Sequence, residues 1–394
     1  MNFILTMSGG TTPVINSTLV GVIRGIKRYY PHSKLFIPKP GIVGILRDEI
    51  YELDLNALNR RTLKRIQRLP GSSLTGTSRI ERFDKEQLAT IDSKLKELNV
   101  TTFINIGGSG TIKQTKYLSE NISNVKFIAL PKTIDNDLGD SNFEQLLFTP
   151  GYLSSARYLI NHTYNLIREN EGAYFNDTVL VSQVFGRDTS HLAAITNLVN
   201  SPRLITLFPE SPLSKEDFLF HVNQRIKDFG GCVVVVPEGY DSTIFDTDFT
   251  KEYDESGQVK WGSSHGSIAQ TISSYLNNNG INTRIVNTTI EQRQCGSFLD
   301  STDIDVAYRV GYDAIKLRTN NSFFMSITRG NKTMPIKISE IELDNFNRSF
   351  PPEWIDSTRT RVNNLFKAYF KSLKLGQRII SEVNEIKLPL KPVL

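Results

Sequence analysis

Leu130-Pro-Lys-Thr-Ile-Asp-Asn-Asp-Leu138 is the stretch around which the rest of the chain is interpreted. It continues the apolar run from Val125 to Leu130, which predicts a short buried strand with polar side chains at its carboxyl end. Open parallel sheets bind their ligands at that end. Residues two apart in an extended loop point the same way, so Asp135 and Asp137 are expected to face one pocket. One carboxylate is suited to accept a hydroxyl proton, while the other holds a metal-bound water or orients the first.

Lys132 and Thr133 come just before these carboxylates and are suited to contact phosphate oxygens. The alternative interpretation is a strand followed by a polar turn, because Asp and Asn are common turn formers. The segment alone leaves both interpretations open, so the other motifs have to decide.

Composition sets wide bounds on the class of protein. The chain has 394 residues, 39% of them hydrophobic, which is typical of about two domains. No apolar run approaches the roughly 20 residues of a membrane helix, and the N-terminus lacks a signal-peptide pattern, so a cytoplasmic protein is expected. Cys232 and Cys295 are expected to be free thiols. A net charge of +5, spread along the chain, favours anionic substrates over nucleic acid.

Two glycine-rich turns follow predicted strands, and the first of them predicts a phosphate site. Ser8-Gly-Gly-Thr-Thr-Pro-Val-Ile-Asn16 follows a predicted strand, with Thr11 or Thr12 as the expected N-cap of a helix. Gly107-Gly-Ser-Gly-Thr111 likewise lies between a predicted strand and a helix. Adjacent glycines let the backbone approach a ligand closely, although each turn alone is also typical of any α/β protein.

Two further loops each supply an arginine. The Gly/Ser/Thr-rich loop from Gly71 ends in Arg79, whose fork of donors matches phosphate oxygens, although a solvated connection is the alternative. Gly186-Arg187 follows a predicted strand, where the glycine permits close approach and the arginine is suited to meet a phosphate. His191, a little further on, is interpreted as a helix-surface histidine without a catalytic role.

In combination these motifs resemble the phosphofructokinase family. Residues 131–137 are similar to its Pro-Lys/Gly-Thr-Ile-Asp-Asn-Asp signature, and residues 8–16 are similar to its Ser-Gly-Gly-x-x-Pro-Gly-x-Asn opening. Gln292-Arg293 matches the Gln-Arg that ends a family strand, and the likeness runs from Asn2 to about Gly311. The resemblance implies an α/β fold of two Rossmann-like domains with mostly parallel sheets flanked by helices. The donor domain would be 1–150 plus about 300–345, and the acceptor domain 151–299 plus about 346–394.

The implied reaction transfers the γ-phosphoryl group of Mg-ATP to a sugar phosphate, with fructose 6-phosphate giving fructose 1,6-bisphosphate as the default. The resemblance implies a role for each candidate residue: Asp135 as general base; Asp137 and Ser109 at magnesium; Thr133, Arg79 and Arg187 in catalysis; Gly10, Gly108, Ser109, Gly110, Thr111 and Lys132 at the donor; and Thr133, Asp135, Gly186, Arg187, Glu238 and Arg293 at the sugar phosphate. A homodimer or homotetramer is also implied.

Departures from the family pattern leave alternatives open. Ser109 stands where the family has a magnesium-holding aspartate, so a non-catalytic subunit or sugar-phosphate sensor is one alternative. Gly110 favours ATP and Lys132 allows pyrophosphate, and a longer ATP-using branch of the family, which this chain resembles, combines the two residues. An altered acceptor is the third alternative, favoured by changes at four positions: Thr178, Gln294, Cys295 and Ile304.

The remaining element predictions place the motifs along the chain. They comprise strands at Asn2–Met7, Thr101–Ile106, Val179–Phe185, Cys232–Val236 and Val286–Arg293; helices at Glu86–Leu98, Thr149–Arg168, Ser267–Leu276 and Arg359–Leu373; and a surface insertion or mobile loop at Asp241–Gly262.

Overall fold

The computed structural model describes residues 1–80, 82–173, 178–246 and 267–376. The strands are β1 (Asn2–Met7), β2 (Leu35–Pro38), β3 (Ile50–Glu52), β4 (Val100–Gly107), β5 (Lys126–Pro131), β6 (Val179–Val184), β7 (Leu204–Thr206), β8 (Cys232–Pro237), β9 (Thr283–Ile285), β10 (Phe323–Thr328) and β11 (Lys332–Lys337). The α-helices are α1 (Ile15–Tyr29), α2 (Val43–Leu46), α3 (Arg60–Gln67), α4 (Lys85–Glu97), α5 (Ser109–Asn121), α6 (Tyr152–Ala173), α7 (His191–Ile195), α8 (Lys215–Phe229), α9 (Ile268–Asn278), α10 (Ser301–Lys316) and α11 (Asn364–Ser372).

Two sheets organise the described chain. The first has seven strands in the order β11-β10-β5-β4-β1-β2-β3, parallel except for the antiparallel pairs at its two edges. The second has four parallel strands in the order β7-β8-β6-β9. Helices cover the central strands, and every residue of β8 is buried. Because such strands are buried, their sequences are nearly continuous apolar runs. This arrangement confirms the predicted α/β fold class; the assignment of a donor and an acceptor domain stays a prediction.

Helices α1 and α10 cross at very short range beside the first sheet. A methyl carbon added to Gly21 of α1 would lie 2.1 Å from the carbonyl oxygen of Tyr308, and one added to Gly311 of α10 would lie 2.2 Å from that of Thr18. Only hydrogen fits at both positions, so glycine sets the separation of the two helices.

Replacing Gly21 by alanine is therefore expected to destabilise the protein. The helices would have to move apart, and overpacking of this kind costs about 1–3 kcal/mol of unfolding free energy. Gly172→Ala in α6 is the matched control, because among the described residues no atom beyond its own stretch of helix lies within 4 Å of its added carbon. Urea unfolding of both variants measures the difference, and equal stability would contradict the close helix contact.

Two helices begin later in the chain than the sequence predicts. The helix expected to be capped by Thr11 or Thr12 begins at Ile15, with Val14 as its N-cap. The helix expected from Thr149 begins at Tyr152, because the backbone N–H of Thr149 donates to Asn136 Oδ1 and its hydroxyl donates to the carbonyl of Thr133. Both shifts occur where the chain follows loops at the carboxyl ends of strands.

The predicted strand from Val286 to Arg293 is wrong. Strand β9 ends at Ile285, and residues Ile290–Arg293 form a 3-10 turn. The Thr288 hydroxyl donates to the carbonyl of Gln183, and the Gln292 side chain donates back to the carbonyl of Thr288. The chain therefore stays in contact with β6 as far as Thr288, and the bond from Gln292 closes the turn that follows.

The predicted surface position of His191 is also wrong. Its side chain is fully buried, and its ring lies against those of Phe143, Phe350 and Trp354. Neither ring nitrogen has a hydrogen-bond partner within the described residues. Burial, and then the charge of Arg348, hold the pKa of His191 well below its usual value.

Other expectations have mixed outcomes. The predicted insertion or mobile loop at 241–262 lies outside the described residues from position 247 onward. The terminal helix predicted from Arg359 is shorter and begins at Asn364, after the left-handed Arg359. Cys232 and Cys295 are buried free thiols, as expected. Within the ranges that the structure describes, no helix is both long enough and apolar enough to cross a membrane.

Candidate active site

A cavity of about 780 Å³ is lined by the loops that follow β1, β4 and β5 of the first sheet and β6 and β8 of the second. Carboxyl ends of parallel strands are where this class of fold places its ligands. Nearly all the candidate residues line this one cavity: Gly10, Arg79, Gly108, Ser109, Gly110, Thr111, Lys132, Thr133, Asp135, Asp137, Arg187, Glu238 and Arg293. Their individual roles stay predictions.

Gly186 is the candidate that does not line the cavity. Its φ is +131°, and an added carbon would lie 2.5 Å from the carbonyl oxygen of Thr189. The glycine is therefore required for the turn that presents Arg187. Four further positions, at which the sequence departs from the family pattern for the acceptor, also lie outside the cavity lining. They are Thr178, Gln294, Cys295 and Ile304.

The donor side of the cavity is built on the N-terminus of α5. Gly108 is the N-cap and supplies no side-chain cap, so the free N–H groups of the first turn remain available to an anion. Ser109, Gly110 and Thr111, the first residues of the helix, line the cavity. This geometry suits donor phosphates.

Lys132 joins three loops of the first sheet. Its ammonium group donates to the carbonyl oxygens of Ser8, at 2.9 Å, and Gly10, while its backbone N–H donates to that of Gly107. Burial lowers the pKa of Lys132 to about 8. An ammonium group has three protons, so two carbonyl bonds leave one for a ligand in the cavity that Lys132 lines.

Asp135 and Asp137 both line the cavity, although the loop is not extended as expected. The chain turns between them at Asn136, whose φ is +58°. Asp135 Oδ2 accepts a 3.3 Å hydrogen bond from the Thr133 hydroxyl, and burial raises the pKa of Asp135. Burial, followed by the charge of Asp135, raises the pKa of Asp137 to about 7. Two neighbouring carboxylates with raised pKa values are typical of a site for proton transfer.

The opposite wall carries cations beside a buried carboxyl group. Glu238 is 6% exposed, and its Oε1 lies 3.7 Å from Arg187 Nε. The guanidinium of Arg293 lies over the ring of Phe185, and its Nη1 would be 3.3 Å from a carbon added to Gly10. Arg293 therefore spans from the predicted acceptor side to the predicted donor loop.

Arg79 is held at the cavity by its neighbour Ser78. The carbonyl oxygen of Ser78 accepts from both the hydroxyl of Ser8 and the backbone N–H of Gly9, at 3.0 Å each. The Ser78 hydroxyl accepts from the backbone N–H of Ile42. Arg79 thus lies on a loop that is hydrogen-bonded to the first glycine turn, and its own side chain is exposed.

Sequence reasoning missed other residues in the lining. Asp188 and Thr189 follow Arg187 directly, and Arg82 comes three residues after Arg79. These residues could have been predicted from the sequence, because each lies within three positions of a candidate residue. The complete set of additional lining residues is Ser8, Gly9, Thr11, Thr12, Arg82, Ile134, Phe185, Asp188 and Thr189.

The donor set fits a magnesium ion only partly. No group of three or more His, Cys, Asp or Glu side chains that could hold a metal occurs in the described part of the chain. Asp137 Oδ1 is nevertheless buried and has no hydrogen-bond partner in the described ranges, as is typical of an atom that binds a cation. Protein sites for Mg²⁺ commonly use one or two carboxylates together with substrate phosphates, so Asp137 with donor phosphates is a sufficient set.

Glu238 is expected to make stability depend on pH. Burial, followed by the charge of Asp135, raises its pKa to about 8, so above its ordinary value of 4.5 the folded protein holds a proton that the unfolded chain releases. The contribution of Glu238 to the free energy of unfolding therefore falls as the pH rises from its ordinary pKa of 4.5 to its raised pKa of about 8. Glu238→Gln should gain stability relative to the unsubstituted protein between about pH 5 and pH 8 in urea unfolding. A difference independent of pH would contradict the raised pKa.

The cavity thus combines glycine turns and a helix N-terminus with arginines and paired carboxylates, at the carboxyl ends of parallel strands. Groups of these kinds are suited to phosphoryl transfer in an α/β protein. Residues 2–318 match the sequence model of the family described as Phosphofructokinase. The chain belongs to the phosphofructokinase family, whose members are phosphotransferases.

Curated relatives fall into two groups by donor. The chain is 26% identical to a pyrophosphate–fructose 6-phosphate 1-phosphotransferase of Xanthomonas campestris, over 95% of this chain and 92% of that protein. It is 28% identical to an ATP-dependent 6-phosphofructokinase of Borreliella burgdorferi, over 65% of this chain and 57% of that one. The structure of a pyrophosphate-dependent phosphofructokinase from Nitrosospira multiformis has a TM-score of 0.81 at 22% identity, covering 98% of this chain and 94% of its own, which supports the fold.

Proposed function

We propose that the protein phosphorylates fructose 6-phosphate on its carbon-1 hydroxyl, giving fructose 1,6-bisphosphate. The observation that carries the proposal is the position of Asp135, which lines one cavity together with Asp137 and three arginines, Arg79, Arg187 and Arg293. A protein that only binds sugar phosphates needs the cations but has no need of a general base among them.

In the proposed reaction, the Asp135 carboxylate accepts the hydroxyl proton as the sugar oxygen attacks the terminal phosphorus of the donor. The bond from that phosphorus to the donor's bridging oxygen breaks, and ADP or inorganic phosphate leaves. Arg79 and Arg187 stabilise the charge on the transferring group, and Glu238 and Arg293 hold the sugar phosphate. A magnesium ion bound by Asp137, with Ser109 beside it, would neutralise charge on the donor phosphates.

ATP is the donor that we place first. Gly110 at the start of α5 has no side chain to occupy the space of an α-phosphate, and Ser109 and Thr111 beside it line the cavity. Pyrophosphate is the second candidate, because the relatives that match over nearly the whole chain carry that donor in their names. Lys132, with one ammonium proton left for a ligand, suits either donor.

Initial rates with each donor separate these two candidates. The purified protein would be given fructose 6-phosphate, magnesium and either ATP or pyrophosphate, and the release of ADP or inorganic phosphate followed. ADP release that requires the sugar phosphate supports the first candidate. Turnover of fructose 6-phosphate with pyrophosphate but not with ATP would overturn the choice of ATP. It would leave the proposed phosphorylation of fructose 6-phosphate in place.

The remaining expectations from the sequence are part of the same proposal. We place the enzyme in the cytoplasm as a homo-oligomer that binds no nucleic acid. Its substrates would be a sugar phosphate and a nucleotide or pyrophosphate. Sedimentation of the full-length protein measures the oligomeric state, and a monomer at working concentration would contradict it.

A further inference from the structure

Arg348 lies directly behind the loop that carries Asp135 and Asp137. It is 3% exposed, and it reaches this loop from a segment more than 200 positions later in the chain. Its Nε donates to the carbonyl oxygen of Asn136 at 2.9 Å, and its Nη2 donates to Asn136 Oδ1 at 2.8 Å. Its backbone N–H donates to the carbonyl oxygen of Asp137 at 2.9 Å. One residue thus contacts the chain at and immediately after the turn.

Asn136 is the centre of these contacts. It adopts the left-handed conformation, which asparagine tolerates better than most residues. Its Oδ1 also accepts from the backbone N–H of Thr149, and its Nδ2 donates to the hydroxyl of Tyr369, which in turn donates to the carbonyl of Leu147. The turn that aims the two carboxylates is therefore fixed by side chains distant in sequence.

The remaining surroundings of Arg348 hold the guanidinium itself in place. Its Nη1 donates to the carbonyl oxygen of Leu146, and the group lies 4.0 Å from the ring centroid of Phe143. Within the described residues, no carboxylate forms an ion pair with it. Burying a charge without an opposite charge is costly unless its hydrogen bonds are satisfied, and here they are satisfied mainly by the catalytic loop.

We propose that Arg348 is a positioning residue for phosphoryl transfer, which holds Asn136 in its left-handed turn so that Asp135 and Asp137 both face the cavity. The inference rests on the function proposed above. Arg348 does not belong to the described residues that line the cavity, so it acts through the loop and not on the substrates.

Kinetics test the catalytic part of this inference. Arg348→Met is expected to lower kcat by about 10²-fold, because small displacements of a catalytic group have effects of this size. The KM for fructose 6-phosphate should change by less than about twofold, since Glu238 and Arg293, which are proposed to hold the sugar phosphate, are untouched. Arg348→Lys, which keeps the charge but loses the two-pronged contact with Asn136, should retain more activity than Arg348→Met and less than the unsubstituted protein.

Arg361→Lys is the matched control. Arg361 belongs to the same part of the chain, and its Nη2 donates to the carbonyl oxygen of Ser201, away from the catalytic loop. Its substitution should leave kcat within about twofold. Equal losses of kcat in Arg348→Lys and Arg361→Lys would overturn the inference, because both would then reflect general destabilisation.

Hydrogen exchange gives a readout that does not depend on activity. In Arg348→Lys, amide exchange in peptides covering residues 136–149 should accelerate at least about tenfold, and in Arg361→Lys it should not. Unchanged exchange, or an unchanged kcat, would overturn the inference. If the unsubstituted protein has no transfer activity, the proposed function and the catalytic part of the inference are both overturned. Accelerated exchange in Arg348→Lys would still show that Arg348 stabilises the loop, whatever the activity.

Discussion

Asp135→Asn should abolish most turnover, with kcat lower by about 10³–10⁴-fold, the upper part of the range for a general base. Asparagine keeps the size of the side chain and can still accept from the Thr133 hydroxyl, but it cannot take the proton of the attacking hydroxyl. The KM for fructose 6-phosphate should change little, because the proposed sugar contacts of Glu238 and Arg293 remain. Steady-state rates with the preferred donor measure both parameters.

Asp188→Asn is the control for Asp135→Asn. Asp188 also lines the cavity but is exposed to solvent. Its substitution removes one negative charge from the same site and should lower kcat by less than about tenfold, since an exposed charge acts weakly. Equal losses in the two variants would show that net charge, and not proton transfer at Asp135, limits the reaction.

Arg79→Met should lower kcat by about 10³-fold, as removal of an arginine from a transferring phosphoryl group does in other kinases and hydrolases. The carbonyl oxygen of Ser78, the residue before Arg79, accepts hydrogen bonds from the first glycine turn. The loop that carries Arg79 is therefore already held at the cavity. Methionine keeps much of the apolar length and loses the donors. Rates at saturating donor and acceptor isolate the effect on the chemical step.

Arg82→Met provides the comparison for Arg79. Arg82 lines the same cavity three positions after Arg79, and both arginines are exposed. It should affect the KM of the donor more than kcat, through attraction of the anionic substrate. A larger loss of kcat in Arg82→Met than in Arg79→Met would reverse the assignment of the two arginines.

Much of the fold could be predicted because the parallel strands are buried on both faces. β5 and β8 are short apolar runs, and polar or glycine-rich residues begin where they end. The same rule predicted a site at Asp135, which follows such a strand. Glu238 also follows one, but only its resemblance to the family marked it as a candidate. Local patterns therefore sufficed for the buried strands and the turns after them, whereas the grouping of these turns into one site came from the resemblance to the family.

What could not be predicted depends on contacts between distant residues. The turn at Asn136 is stabilised by Arg348 and Tyr369, which no local pattern connects to it. His191 lies in a helix of five residues, too short for a periodic pattern to distinguish a buried from an exposed face. The segment from Val286 to Arg293 begins alongside β6, where Thr288 donates to the carbonyl of Gln183, but the bond from Gln292 back to Thr288 closes a turn after it.

The central claim is that this chain phosphorylates fructose 6-phosphate. Phosphorus NMR of the purified protein with magnesium, fructose 6-phosphate and either ATP or pyrophosphate tests it most directly. A second phosphate ester is expected to appear at carbon 1, as fructose 1,6-bisphosphate, and Asp135→Asn should prevent its formation. Consumption of neither donor, or a phosphate ester at another carbon, would contradict the claim.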